Sequence, residues 1–156
     1  MQNKPSTAFI SYVPGPLALR FISKIHTAIY RISAGHLGHR LDGLDILLLT
    51  TQGRKSGKRY RTPMPYFAHP DGYLLIASNA GGADNPGWYH NLLHQPEVTI
   101  QVGSEKHQVI ASPLVEEARQ VWWHKLIQLQ PRYSGYQQAT QRSIPIVLLA
   151  RKVPKD

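Results

Sequence analysis

The chain contains no cysteine. That absence removes disulfides, thiolate metal sites and a cysteine nucleophile together. Acidic side chains are scarce: nine Asp and Glu stand against eighteen Lys and Arg, a formal charge of +9 with His neutral. A molecule so charged favours an acidic partner, which covers a phosphorylated cofactor, an anionic membrane surface and nucleic acid alike. Long apolar runs are also missing. Nothing approaches the roughly 20 residues that span a bilayer, because Arg20, Lys24 and Arg31 interrupt the most hydrophobic early segment. Pro5, Pro14, Gly15 and Pro16 break up the start, which does not suit a cleaved signal peptide, so the sequence predicts a cytoplasmic protein. The 156 residues, 42% of them hydrophobic, suffice for one domain with one core.

Several catalytic signatures are absent too. Gly53-Arg54-Lys55-Ser56-Gly57-Lys58 looks like a phosphate loop, but only three residues separate its glycines and Arg59 follows where Ser or Thr is required. No G-x-G-x-x-G follows a strand pattern, which removes a Rossmann nicotinamide site. Ser56, Ser78, Ser134 and Ser143 all lie outside a G-x-S-x-G elbow. His36 and His39, and His90 and His94, have ligand-like spacings, but no Glu follows His90 as the zincin motif requires, and no metal site is predicted.

What is present reads as strands with flanking helices. Residues 1–15 are expected to be a flexible arm. A helix is predicted over residues 16–33, with Leu17, Phe21, Ile22, Ile25, Ile29 and Ile32 on one stripe and Arg20, Lys24, Thr27 and Arg31 largely off it. Such a basic amphipathic helix covers the end of a barrel, lies on an anionic membrane, or does both. The run Ile46-Leu47-Leu48-Leu49 predicts a strand over 45–51 buried on both faces. Strands at 64–69 and 73–78 flank Pro70-Asp71-Gly72, whose residue types suit a hairpin turn. After a Gly-rich loop at 80–83, Asn85 is the expected N-cap and Pro86 the first residue of a short helix that Pro96 stops. Strands at 98–102 and 107–112 form a further hairpin. A helix over 113–129 carries Val115, Ala118, Val121, Trp122, Leu126 and Leu129 near helical spacing, its tryptophan pair read as core. Tyr133 and Tyr136 lie on a short segment, and a last strand covers 144–149 before a basic tail. About six hairpin-joined strands with peripheral helices predict an α+β fold, an antiparallel sheet curled into a small barrel.

One constellation carries function. Arg54, Lys55, Lys58, Arg59 and Arg61 place five cations within eight residues, beside Gly53, Ser56 and Gly57. Glycines let backbone N–H groups approach an oxyanion, Ser56 adds a donor, and arginine forks suit phosphate.

The stretch 48–61 with T-T-x-G-R-K-S-G, then Ala77-Ser78-Asn79-Ala80-Gly81-Gly82, then N-P-x-W-Y-x-N-L from Asn85 to Leu92, and Ser143-Ile144-Pro145-Ile146-Val147, resembles the deazaflavin (F420)-dependent nitroreductase and quinone reductase family over residues 40–150. The resemblance implies a split β-barrel like those that bind flavin mononucleotide, using coenzyme F420 to deliver hydride to a quinone-like or nitro-bearing acceptor. By position, Gly53, Arg54, Lys55 and Ser56 take the phosphate and acidic tail, with Arg59 and Arg61 close by. Ala77, Ser78, Asn79 and Ala80 line the deazaflavin ring, and Asn85, Trp88, Tyr89 and Asn91 form a second binding segment. Tyr133, Ser78 and Tyr136 face the acceptor, Tyr133 being the first choice to supply a proton or hydrogen bond to its oxygen. Asn79-Ala80 and Gln130 depart from relatives that carry Lys followed by glycines, and a further tyrosine, at those places. Alternatives remain at this stage: a flavin-mononucleotide or haem-binding split barrel, a non-catalytic F420 carrier, and a basic nucleic-acid-binding module.

Overall fold

The computed structural model describes residues 16–33, 35, 37–41 and 43–152. The arm at 1–15, His36 and the end of the basic tail lie outside the described residues. The longest apolar run builds the central strand. β2 (Leu44–Gln52) buries Ile46 to Leu49 almost completely, at 2% exposure or less, as a two-faced run demands. It pairs antiparallel with β3 (Arg59–Pro65) on one side and β6 (Glu97–Val102) on the other. β7 (Glu105–Pro113), β8 (Ile146–Arg151), β5 (Gly72–Ile76) and β4 (Phe67–His69) continue the sheet, each pair antiparallel.

The curl closes through one stretch of chain. β3 pairs with β2, and after the single residue Tyr66 the same stretch continues as β4 and pairs with β5. Six positions therefore circle the barrel, with a break at Tyr66. Pro63 and Pro65 are tolerated in β3 because its far edge carries no ladder that needs their missing N–H groups. The predicted strand at 64–69 is thus two strands, begun earlier at Arg59. A two-residue strand β1 (Arg40–Leu41) on β2 was not predicted. β8 starts two residues later than the periodicity suggested.

Alternation along the strands sorts the core. Leu47, Leu49, Leu75, Ile100, Val109, Val147 and Leu149 fill the barrel interior. On the outside of β5 and β8, Leu74, Ile76 and Ile146 are covered by α3 (Glu116–Leu129) and α4 (Arg132–Gln138). Each such side chain contributes about 1.5–3 kcal/mol by leaving water. The long helix was expected from residue 113, but Pro113 is the last residue of β7, opposite Val147. Ladder pairing wins because β8 lies alongside, and α3 begins instead at Glu116 and Glu117, whose charges suit a helix N-terminus. Its expected stripe is only partly used: Leu126 is buried, Val115, Val121 and Leu129 are exposed, and the tryptophan pair is half-buried.

α1 (Pro16–Ile32) lies against β3. Its anchor is Tyr30, a residue outside the predicted stripe, fully buried with Ile46 and Leu48. The Tyr30 hydroxyl donates to the Ile46 carbonyl at 3.1 Å and accepts from the Gly103 N–H at 2.7 Å. Ile22, Ile25, Ile29 and Ile32 of the stripe are instead exposed, by 43% to 88%. The Leu17 and Phe21 side chains lie outside what is described. Among the described residues no helix is long and apolar enough to cross a membrane.

Candidate functional site

The β2–β3 connection forms the floor and rim of a cavity of about 370 Å³. Its turn is set by short backbone bonds: the Gly53 N–H donates to the Lys58 carbonyl and the Gly57 N–H to the Gly53 carbonyl, both at 2.8 Å. Gly57 sits at φ +66, where a side chain would be strained. Gly53 is required for space, since a Cβ there would lie 2.6 Å from Ser56 Oγ and 2.7 Å from the Tyr60 ring. Ser56 Oγ also accepts from the Lys58 N–H and lies 3.2 Å from the Tyr60 hydroxyl.

The wall opposite the turn is α2 (Gly87–His94), which presents Gly87, Trp88 and Asn91 to the cavity. Asn91 is buried and spans the two elements: its Oδ1 accepts from the Arg54 N–H at 3.1 Å, and its Nδ2 donates to Thr51 Oγ1 at 3.3 Å. The basic turn is thereby fixed to the helix by one amide. The Arg54 and Lys55 side chains line the cavity and make no ion pair with a described residue. Cations without an ion-pair partner among the described residues, beside a glycine-cleared pocket, offer the donors that an anion would need.

The predicted cradle divides here. Along β3 the side chains alternate, so Tyr60 and Thr62 face the cavity while Arg59 and Arg61 point to the other side of the hairpin. Gly53, Arg54, Lys55, Ser56, Trp88 and Asn91 are brought together. Arg59 and Arg61 are not brought to them. Tyr89 packs against the barrel core and edge-on to Trp88, with ring centroids 6.3 Å apart.

A second group forms around residues 77–85, where Asn79–Gly81 makes a 3₁₀ turn in which Asn79 and Ala80 hold positive φ of 47 and 51. Such angles in non-glycine residues need support from their surroundings. Arg142 supplies it, donating through Nε to the Gly82 carbonyl at 3.0 Å, through Nη1 to Asn85 Oδ1 at 2.6 Å, and through Nη2 to the carbonyls of Ala77 and Ser78 at 3.1 and 2.8 Å. Burial lowers the Arg142 pKa, and the Asp84 carboxylate opposes that shift. Asn85 is therefore an acceptor for Arg142 rather than the expected helix cap. α2 begins one residue further on, with Pro86 at the N-cap and no side-chain cap bond. The α4 backbone closes over the turn, as a Cβ on Gly81 would lie 3.0 Å from the Tyr136 carbonyl oxygen.

Tyr133 is 6% exposed and packs edge-on against Phe67 and Tyr136 at 6.1 and 5.9 Å. Burial pushes its pKa up to about 12, with Arg132 opposing and Tyr136 adding to the shift. Its hydroxyl makes no hydrogen bond with a described residue, and no buried side-chain oxygen among them lacks a partner, so that hydroxyl reaches solvent. Ser78, Tyr133 and Tyr136 do not line the basic cavity. They belong to the turn side, joined to the cavity through Asn85 and the start of α2. Arg142, Tyr60, Thr51 and Thr62 were missed by sequence reasoning. The signal for Arg142 was weak: a lone arginine just before the Ser143–Val147 stretch.

Fold and site together define a split β-barrel with a cation-lined cavity at the β2–β3 turn. The chain belongs to the F420H(2)-dependent quinone reductase family, whose pattern matches residues 22–151. It is 38% identical over 133 residues to the F420H(2)-dependent quinone reductase Rv1261c of Mycobacterium tuberculosis, covering 83% of this chain and 89% of that one. Among solved structures it resembles the F420-H2 dependent reductase FDR-A, with a TM-score of 0.60 and 34% identity, over 67% of this chain and 92% of that one. The haem storage protein HutZ of Vibrio cholerae shares the fold at a TM-score of 0.50 and 17% identity, over 70% of this chain and 82% of that one.

Proposed function

We propose that this protein transfers hydride from reduced coenzyme F420 to a quinone. The observation that carries the reading is the glycine-cleared cavity whose Arg54 and Lys55 side chains make no ion pair with a described residue. That donor set fits a phosphate with neighbouring carboxylates, and Gly53 keeps the space that a Cβ would fill. Arg54, Lys55 and Ser56 hold the phosphate and acidic tail of the coenzyme, Asn91 keeps the Arg54 backbone in place, and Trp88 gives the cavity an apolar wall. Residues Ala77 to Ala80 border the ring. When bound, the reduced deazaflavin supplies the hydride. The protein's share is to hold donor and acceptor together, exclude water and hydrogen-bond the acceptor oxygen. Tyr133 keeps its proton throughout the working pH range and serves as that donor, with Ser78 and Tyr136 beside it. A nitro-bearing compound is the second acceptor class to try. Relatives that share only the fold give no support to flavin mononucleotide, haem or nucleic acid here.

The test is reduced F420 oxidation with a panel of quinones and nitroaromatics, joined to fluorescence titration of the coenzyme. Replacing Arg54 and Lys55 together by Ala should cost about 2–4 kcal/mol of coenzyme binding, from about 1.5–3 per charged hydrogen bond discounted for exposure. A precursor without phosphate and glutamates should bind weakly and be nearly indifferent to the substitutions. Equal losses for both compounds would reduce the turn to a structural element.

The exposed isoleucines of α1 also support peripheral contact with an anionic membrane, since the helix is pinned by Tyr30 and leaves that stripe uncovered. Removing residues 1–32 should reduce co-sedimentation with anionic liposomes at low salt. Equal co-sedimentation would leave α1 a cover for the barrel.

A further inference from the structure

The cations turned away from the coenzyme cavity do not simply face solvent. They meet others. The sheet register places Arg61, Thr50 and Thr99 in one row across β3, β2 and β6, and Leu48, Gln101 and Lys106 in the next row across β2, β6 and β7. Rows two residues apart project to the same face, with neighbouring strands about 4.8 Å apart. Arg59 lies on that face two residues before Arg61. Arg31, in the last turn of α1, comes over it from the helix that Tyr30 pins to the sheet. Arg31, Arg59, Arg61 and Lys106 thus border one pocket of about 230 Å³, with Leu48, Thr50 and Thr99 on the same face beneath them.

No carboxylate among the described residues lines this pocket. Carboxylates on the adjoining strands are engaged elsewhere: Asp45 with Arg40, Glu97 with Lys152 and Glu105 with His107. None of the four cations makes a side-chain hydrogen bond or ion pair with a described residue. Four like charges around one small concavity repel one another, and a multiply charged anion would relieve that repulsion while accepting several forked bonds. Three arginines favour a phosphoryl group over a lone carboxylate.

We propose that this outer pocket is a second binding site, which takes the phosphate or diphosphate group of a ligand other than the coenzyme. The two sites lie on opposite faces of the β2–β3 hairpin, so both can be filled at once. The phosphoryl group could come from a soluble ester or from a lipid headgroup, and these are separated experimentally.

The probe is pyrophosphate, titrated calorimetrically into the full-length protein at low salt, with and without saturating coenzyme. Wild type should bind it in both states. Arg31→Gln combined with Lys106→Gln should weaken it by about tenfold or more, the worth of one or two charge-assisted bonds. Lys106→Glu should weaken it further, with coenzyme affinity unchanged in both variants. Arg54→Ala with Lys55→Ala should lose coenzyme and keep pyrophosphate. Vesicles of phosphatidylcholine with and without phosphatidic acid give the second arm: phosphatidate-dependent binding lost in the Arg31→Gln, Lys106→Gln protein assigns the group to a lipid, and binding indifferent to those changes assigns it to a soluble ester. No heat with wild type, equal affinity in the variants, or displacement of pyrophosphate by the coenzyme would overturn the proposal. In the last case the pocket would belong to the coenzyme's own tail.

Discussion

Arg54 and Arg142 are the same residue type put to opposite uses. Arg54 is held by its backbone, through Asn91, and its guanidinium meets no acceptor among the described residues. Arg142 has its guanidinium taken up by three carbonyls and an amide oxygen drawn from residues 77–85. Where the fold leaves a cation's donors free beside a cavity, the charge is available to a ligand. Where it consumes them, the charge has become architecture, here holding the turn with two non-glycine residues at positive φ. Substitutions at the two places should therefore differ in kind: stability without direct loss of anion affinity at one, affinity without loss of stability at the other.

The largest effect is expected at Arg142. Arg142→Ala leaves four acceptors to find other partners in a half-buried place, at a cost of about 3–5 kcal/mol, discounting about 1–3 per lost partner for access of water. Arg142→Lys keeps the charge but not the fork, and should recover less than half. Denaturant midpoints measure both. If alanine there changes stability by less than about 0.5 kcal/mol, a surface-like effect, the clamp has been misread and the turn holds itself.

Next comes Asn91→Ala, which removes the amide joining Arg54 to Thr51 and should cost about 1–3 kcal/mol for a buried acceptor and donor left unpaired. It bears on both sides of the comparison, since it loosens the Arg54 backbone as well. Coenzyme affinity should fall along with stability. Gly53→Ala should reverse that balance, because the new methyl lies within 2.7 Å of Ser56 and Tyr60, on a turn that faces solvent and is able to shift. Its stability loss should be smaller, about 1 kcal/mol from local overpacking, and its loss of coenzyme affinity larger. A stability loss exceeding that of Asn91→Ala would show the turn to be part of the rigid frame.

The same contrast explains what could be seen in the sequence. Features made by neighbours in the chain were legible: the buried run at 46–49, the Pro70-Asp71-Gly72 hairpin, the turn from Gly53 to Lys58 and the existence of a short helix before Pro96, though not its cap. Features made by distant partners were not. Arg142 reaches residues 57 to 65 positions away, and no local pattern announces which side chain will clamp which loop. Tyr30 bonds Gly103 across the fold, and so displaced the isoleucine stripe as the buried face of α1. With the strand expected only from residue 64, the alternation that puts Arg59 and Arg61 on a face opposite to Tyr60 and Thr62 was not read. Nor could alternation alone tell which of those faces the basic cavity occupies, since α2 decides that.

The smallest effect on stability is expected for Tyr133→Phe, and its value lies in pH. Burial holds the Tyr133 phenol up to about 12, above the ordinary value of 10.0. Between those values the unfolded chain releases this proton while the folded protein retains it, so the folded state binds more protons and loses stability as pH rises. The contribution is fully present below pH 10 and is lost as pH climbs through about 12. Tyr30 and Tyr66 have raised pKa values too, from burial, so wild type should weaken over that range for more than one reason. The difference between wild type and Tyr133→Phe isolates one phenol. Below pH 10 the two proteins should agree within about 0.5 kcal/mol, since no hydrogen bond to a described residue is lost. Above it the wild type should lose more. Turnover should meanwhile fall by about 10² in the variant, with no alkaline limb in the wild type near pH 10, because the donating hydroxyl is still protonated there. Parallel stability curves would place the phenol in water rather than in the core, and unchanged turnover across several quinones would leave Tyr133 a packing residue and move the proton to Ser78 or Tyr136.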